Sequence, residues 1–90
     1  MSVKINIPLL YRHATDGLSA VEVEGTTVED CLKSFMQRFP GVKGVLFDKK
    51  GRVLNGIEIY LNHKSAYPDE LAKPVKDGDE ISITLVLAGG

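Results

Sequence analysis

Two residues without side chains, Gly89 and Gly90, follow the apolar run of "ITLVLAGG". Their chemistry is that of the bare backbone. A glycine pair at a chain end loses much freedom on ordering and adds little to stability, so its use lies elsewhere. A segment without Cβ atoms threads a narrow channel where any Cβ would clash, and it presents its terminal carboxylate to a partner's active site. Three or four extended residues reach about 10 to 14 Å, enough to leave a domain and enter an enzyme. Two glycines close a chain by chance about once in 200 sequences, so the pair takes its meaning from the rest of the chain.

The other residues with catalytic potential do not assemble into a site. Cys31 falls on an apolar helical face beside Leu32 and Phe35, the place of a small core residue and not of a thiolate nucleophile. His13 and His63 lie in different loops without a second ligand at metal-site spacing and read as solvated side chains. Asp69 and Glu70 are neighbours in a loop, and the acids of "DGDE" serve a turn; a solvated surface explains both sets. Neither G-x-x-x-x-G-K-[ST] nor G-x-G-x-x-G occurs, so the glycines form no phosphate loop. The chain is expected to have no catalytic residue, bound cofactor or metal of its own.

The elements that would carry the glycine pair follow from patterning. Ninety residues, 43% hydrophobic and 26% charged, suit one small domain with one core. We assign residues 1–87 to that domain and residues 88–90 to a flexible tail. A formal net charge of -1 offers no broad basic surface for nucleic acid. No apolar run approaches the roughly 20 residues of a membrane span, and "MSVKINIPLL" lacks a signal peptide's cleavage region. With one cysteine and no internal disulfide available, a cytoplasmic protein is expected.

In "VKINIPLL", Val3, Ile5, Ile7 and Leu9 alternate with Lys4, Asn6 and Pro8, the period of a strand buried on one face. Pro8 donates no ladder bond, so pairing loosens near it. After turn residues around Asp16 and Gly17, "AVEVE" alternates again, and the two runs, separated by a short turn, read as a hairpin. The period then changes to about 3.6. Val28, Cys31, Leu32, Phe35, Met36 and Phe39 form one helical face, and Thr26 with Glu29, or Thr27 with Asp30, can cap its start. "PG" ends the helix, "VKGVLFD" predicts a short helical turn, and "KKGR" a polar turn. "IEIYLN" and "ISITLVL" are two further strands; the Pro-interrupted segment between them reads as loop and short extended pieces.

Hairpin, helix and further strands predict an α+β fold, a β-grasp in which one main helix packs on one face of a mixed sheet of four to five strands. The first and last strands would lie parallel in the middle. Lys4, Asn6, Glu22, Glu24, Ser82 and Thr84 would face water. The same outer parity carries Val86 and Ala88 on the last strand, Tyr60 on its neighbour, and Pro8 and Leu10 on the first. These are either scattered surface side chains or a docking patch beside the root of the tail.

The strand "IEIYLN", the turn and strand "VKDGDEISI" and the terminal "LAGG", in this order, resemble the MoaD/ThiS family of ubiquitin-like sulfur carriers over essentially the whole chain. The opening "INIPLLYRHATDG" and the length resemble the longer MoaD-like members and the cysteine-biosynthesis branch. The resemblance implies that a ubiquitin-activating-type enzyme adenylates Gly90 with ATP and magnesium. A sulfur donor then converts the mixed anhydride to a thiocarboxylate, and a sulfur-accepting synthase consumes it. It further implies that Gly89 and Ala88 form the slim neck, while Val86, Tyr60, Leu10 and Pro8 contact the enzymes. "ITLVLAGG" departs from molybdopterin synthase small subunits, which commonly carry a proline-containing segment before the glycines. Cysteine or homocysteine synthesis and the molybdopterin pathway both stay open as destinations. So do two other uses: a protein modifier joined through Gly90 to lysine, and a β-grasp interaction module indifferent to loss of Gly89 and Gly90.

Overall fold

Alternation of apolar and polar residues builds a five-stranded sheet in the computed structural model, which describes residues 2–85. The strands are β1 (Ser2–Asn6), β2 (Ala20–Glu24), β3 (Ile57–Leu61), β4 (Lys64–Ser65) and β5 (Glu80–Leu85), in the order β2-β1-β5-β3-β4. β1 and β5 are parallel, with Ile5 level with Ile81; every other pairing is antiparallel. This is the expected β-grasp, with the first and last strands side by side.

Helix α1 (Val28–Arg38) buries Val28, Cys31, Leu32 and Phe35 against Val3, Ile5, Ile59, Ile81 and Ile83 of the sheet's inner face. Met36 and Phe39 pack at the margin of the same core. Of the two caps the sequence allowed, Thr27 with Asp30 forms: the Thr27 hydroxyl accepts the Asp30 N–H at 3.1 Å. The Asp30 carboxylate in turn accepts the Thr26 hydroxyl at 2.9 Å. Gly25 is required by closeness, since a Cβ there would stand 2.8 Å from both N and Sγ of Cys31. After Pro40–Val42, the short α2 (Lys43–Leu46) adds Val42 and Leu46 to the core.

Three sequence expectations are corrected. β1 ends at Asn6 and Leu9 is not an inward strand residue, because Pro8 breaks the ladder and the chain winds into a 3-10 helix at Leu9–Ala14. The hairpin connection is therefore no short turn, although β1 and β2 do pair. Asn62 leaves β3 for the tight turn to β4, where it and His63 take positive φ values of 51° and 71°. Within 62–75 the only regular pieces are β4 and a 3-10 turn at Glu70–Ala72, as the mixed composition implied.

Both sheet edges are guarded. β4 is two residues long. On β2, whose outward carbonyls invite another strand, Arg38 donates to the Glu22 carbonyl and Ser34 to that of Glu24, each at 2.9 Å. Among the described residues no helix is long and apolar enough to cross a membrane.

Phe35 stacks edge-on against Phe39 at 5.7 Å and is closed off from solvent in the centre of the helix-sheet contact. Phe35→Ala is expected to lower unfolding free energy by about 3–5 kcal/mol in urea titration, whereas substitution of exposed Gln37 by Ala leaves the midpoint nearly unchanged.

Candidate functional site

β5 is held by backbone hydrogen bonds along both sides, and it leads toward the residues the sequence singles out. Leu85, its last residue, pairs with Ile57 at the start of β3. Val86, Ala88, Gly89 and Gly90 lie outside the described residues. What the fold defines is the platform from which they continue.

At the entry to β5, "KDGDE" forms a turn with Gly78 at φ 88°, a conformation that favours glycine. Asp79 is buried in this turn, contrary to the expected solvated acid. Its carboxylate accepts the Asn62 amide at 3.0 Å and the Lys76 N–H at 2.9 Å, while its own carbonyl accepts the Lys4 N–H. Asn62 also accepts the Glu80 N–H and donates its own N–H to the Glu80 carbonyl. One carboxylate and one amide thereby tie the β3-β4 turn to the start of β5. The Asn62 and Lys76 hydrogen bonds hold the Asp79 carboxyl below the usual aspartate range.

Outside the sheet, Glu80 accepts the Asn6 amide at 2.6 Å and lies 3.8 Å from the Lys4 ammonium and 3.4 Å from His63 Nε2. The Asn6 hydrogen bond first, then the Lys4 and His63 charges, lower its carboxyl below the usual glutamate range. Asn6 also donates to the Ser82 hydroxyl at 3.0 Å. This part of the outer face is polar. Tyr60 stands there in register with Ser82, and Ser82 separates it from Asn6.

Pro8 and Leu10 lie together just past the end of β1, the end of the sheet toward which β5 also runs. Leu9 and Leu10 are 74% and 65% exposed. Their perch is well supported. Tyr11 donates its hydroxyl to the Val45 carbonyl at 3.0 Å and its N–H to the Pro8 carbonyl, and Arg12 donates to the Ile7 carbonyl. The buried Thr15 hydroxyl closes the loop toward the carbonyls of Arg12 and Leu18. Leu9 was missed as a surface residue because strand parity was carried through Pro8; the proline was the available signal. Cys31 is buried, and burial first, then the charge of Asp30, pushes its thiol pKa up, away from nucleophilic use. Among the described residues no group of three or more His, Cys, Asp or Glu side chains is arranged to hold a metal ion.

Comparison with known proteins places this geometry. A model described as the ThiS family matches residues 7–90. The sulfur carrier protein CysO of Mycobacterium tuberculosis (strain ATCC 25618 / H37Rv) is 28% identical over 93 aligned positions, covering 100% of both chains. Among solved structures, a chain of the Amycolatopsis orientalis BexX/CysO complex superimposes with a TM-score of 0.88 at 31% identity, covering 98% of this chain and 99% of that one. The small archaeal modifier protein 1 of Methanosarcina acetivorans follows with a TM-score of 0.83 at 29% identity, covering 99% and 96%.

The lowered carboxyls of Asp79 and Glu80 set the sign of an acid response. Their contribution to stability is complete above the ordinary carboxylate range and is lost as pH falls through that range to their native values. Urea midpoints measured from neutral pH down to acid should therefore decline, and Asp79→Asn should flatten the decline. An equally steep curve in the variant would contradict this role of Asp79.

Proposed function

The chain belongs to the ThiS family, and from that premise we propose that it is a sulfur carrier whose Gly90 carboxylate becomes a thiocarboxylate. The observation that carries this reading is a family match running through Gly89 and Gly90, on a fold whose central strand β5 is the last described element before them in the chain. Residues 1–87 serve as the domain and 88–90 as the tail.

A carboxylate is a poor electrophile at neutral pH because it is already anionic. An adenylating enzyme of the ubiquitin-activating type, using its own ATP and magnesium, joins Gly90 to AMP and releases pyrophosphate. Sulfide, or a persulfide followed by thiol reduction, then attacks the carbonyl carbon. The C–O bond to AMP breaks, AMP leaves with the electron pair, and sulfur stays on Gly90. A synthase accepts that sulfur from the nucleophilic thiocarboxylate. The chain is a cosubstrate in each step and not a catalyst. A carrier of this kind works beside enzymes, and its relative from Amycolatopsis orientalis is in a complex with BexX. The likeness to CysO supports a destination in cysteine-type synthesis over molybdopterin, and the same reading puts the carrier in the cytoplasm.

Gly89 and Ala88 form the neck that enters each active site. Pro8, Leu9 and Leu10, at the end of the sheet toward which β5 runs, supply the apolar contact for the partner, with Val86 assigned to the same contact, whereas Tyr60, level with Ser82, stands on the polar part of the outer face. A second reading, conjugation through Gly90 to lysine, draws on the likeness to the Methanosarcina modifier and uses the same activated carboxylate.

Intact-mass spectrometry with an activating enzyme, ATP and sulfide tests the proposal. The expected result is a gain equal to exchange of one oxygen for one sulfur, mapped to Gly90 and lost when Gly90 is deleted. An unchanged mass under conditions that convert a known carrier would overturn it, and lysine-linked adducts without the exchange would favour the modifier. The combined Leu9→Glu and Leu10→Glu variant should raise the KM for the carrier about tenfold or more at unchanged kcat, since both side chains are exposed and dispensable for folding.

A further inference from the structure

A second feature lies away from the leucine perch, between the flank of α1 and the turn that follows α2. Met36 and Phe47, both partly buried, lie in a cleft of about 360 Å³ whose rim carries Lys33, Lys43, Lys49 and Lys50. Two carboxylates share the lining, and both are engaged. Glu29 faces Lys33 at 3.9 Å, one turn along the helix. Asp48 accepts the backbone N–H groups of Lys50 and Arg52 at 2.8 and 2.9 Å and the Arg52 side chain at 3.1 Å. Lys43, Lys49 and Lys50 are left with no acidic partner among the described residues, on a chain whose formal net charge is -1.

We propose that this cleft docks an acidic segment of a partner protein, with an apolar side chain seated between Met36 and Phe47 and carboxylates meeting Lys43, Lys49 and Lys50. Charge complementarity identifies the occupant. Three unmatched ammonium groups around one small cleft repel one another, and a chain bearing several carboxylates relieves that repulsion while it is steered in from a distance. A single phosphate fits less well. The N–H groups of Lys50 and Arg52, which would otherwise be available to an anion, are spent on Asp48, so the cleft offers mobile charges over an apolar floor and no fixed cradle. With a formal net charge of -1, the chain has no excess of basic residues to follow a nucleic acid's continuous run of phosphates. The proposal requires neither Gly90 nor activation of the tail, so it stands or falls apart from the sulfur-carrier reading.

The test is an amide-resolved NMR titration of the full chain with a short synthetic peptide of glutamates flanking a Leu-Phe pair. A second peptide has every glutamate replaced by glutamine. Shifts concentrated at Lys33, Met36, Lys43, Phe47 and Lys49–Gly51 are expected with the acidic peptide, together with binding that weakens as salt rises. The Lys43→Glu, Lys49→Glu, Lys50→Glu variant should bind about tenfold or more weakly, and Lys49→Gln with Lys50→Gln should fall between it and the parent. All three lysines are exposed, and an unchanged spectrum elsewhere verifies the fold. Equal binding of the glutamine peptide, shifts centred on Leu9 and Leu10, or no shifts at saturating peptide would overturn the proposal. So would stronger perturbation of these residues by poly-uridine or by phosphatidylserine vesicles.

Discussion

The parallel pairing of β1 with β5 is the contact on which the rest of the molecule depends. It joins the first described strand to the last, so everything between must be folded around it. β2 returns beside β1, α1 crosses the inner face, and β3 comes back on the far side of β5. Parallel neighbours require such a crossover, and here the helix that makes it also supplies the core. The arrangement gives the last strand two neighbours rather than one. The segment after Leu85 therefore follows a strand that is held on both sides.

Polar groups do different work at the two ends of β5. At its entry, Asp79 and Asn62 exchange hydrogen bonds with backbone from three elements and fix where the strand begins. At its exit the neighbouring surface is apolar, with two leucines presented on a loop braced by Tyr11, Arg12 and Thr15. On the sulfur-carrier proposal, the chain is handed between enzymes. Rigid anchoring below and an exposed apolar perch beside the exit allow the end of the chain to be offered without disturbing the domain that carries it.

Much of this was legible in the sequence because burial follows periodicity. Val28, Cys31, Leu32 and Phe35 face inward as the helical spacing required, and so do Val3, Ile5, Ile81 and Ile83 by strand parity. The parallel middle pair followed from topology. Three features were not legible, for three physical reasons. Leu9 was misassigned because parity has meaning only while a strand lasts, and Pro8 ends it. The burial of Asp79 depends on Asn62, a contact between two turns that no local spacing encodes. The lysine-rimmed cleft joins side chains from α1, α2 and the following turn, whose proximity exists only after the helix has docked.

The direction of β1 and β5 has a mechanical consequence. Because the two strands run the same way, a pull on the end of β5 against a restraint at the start of β1 slides one strand along the other. Their hydrogen bonds, lying across the pull, are loaded together and not peeled one at a time. On the sulfur-carrier proposal, a partner that pulled on the chain beyond Leu85 would load β5 in shear against β1.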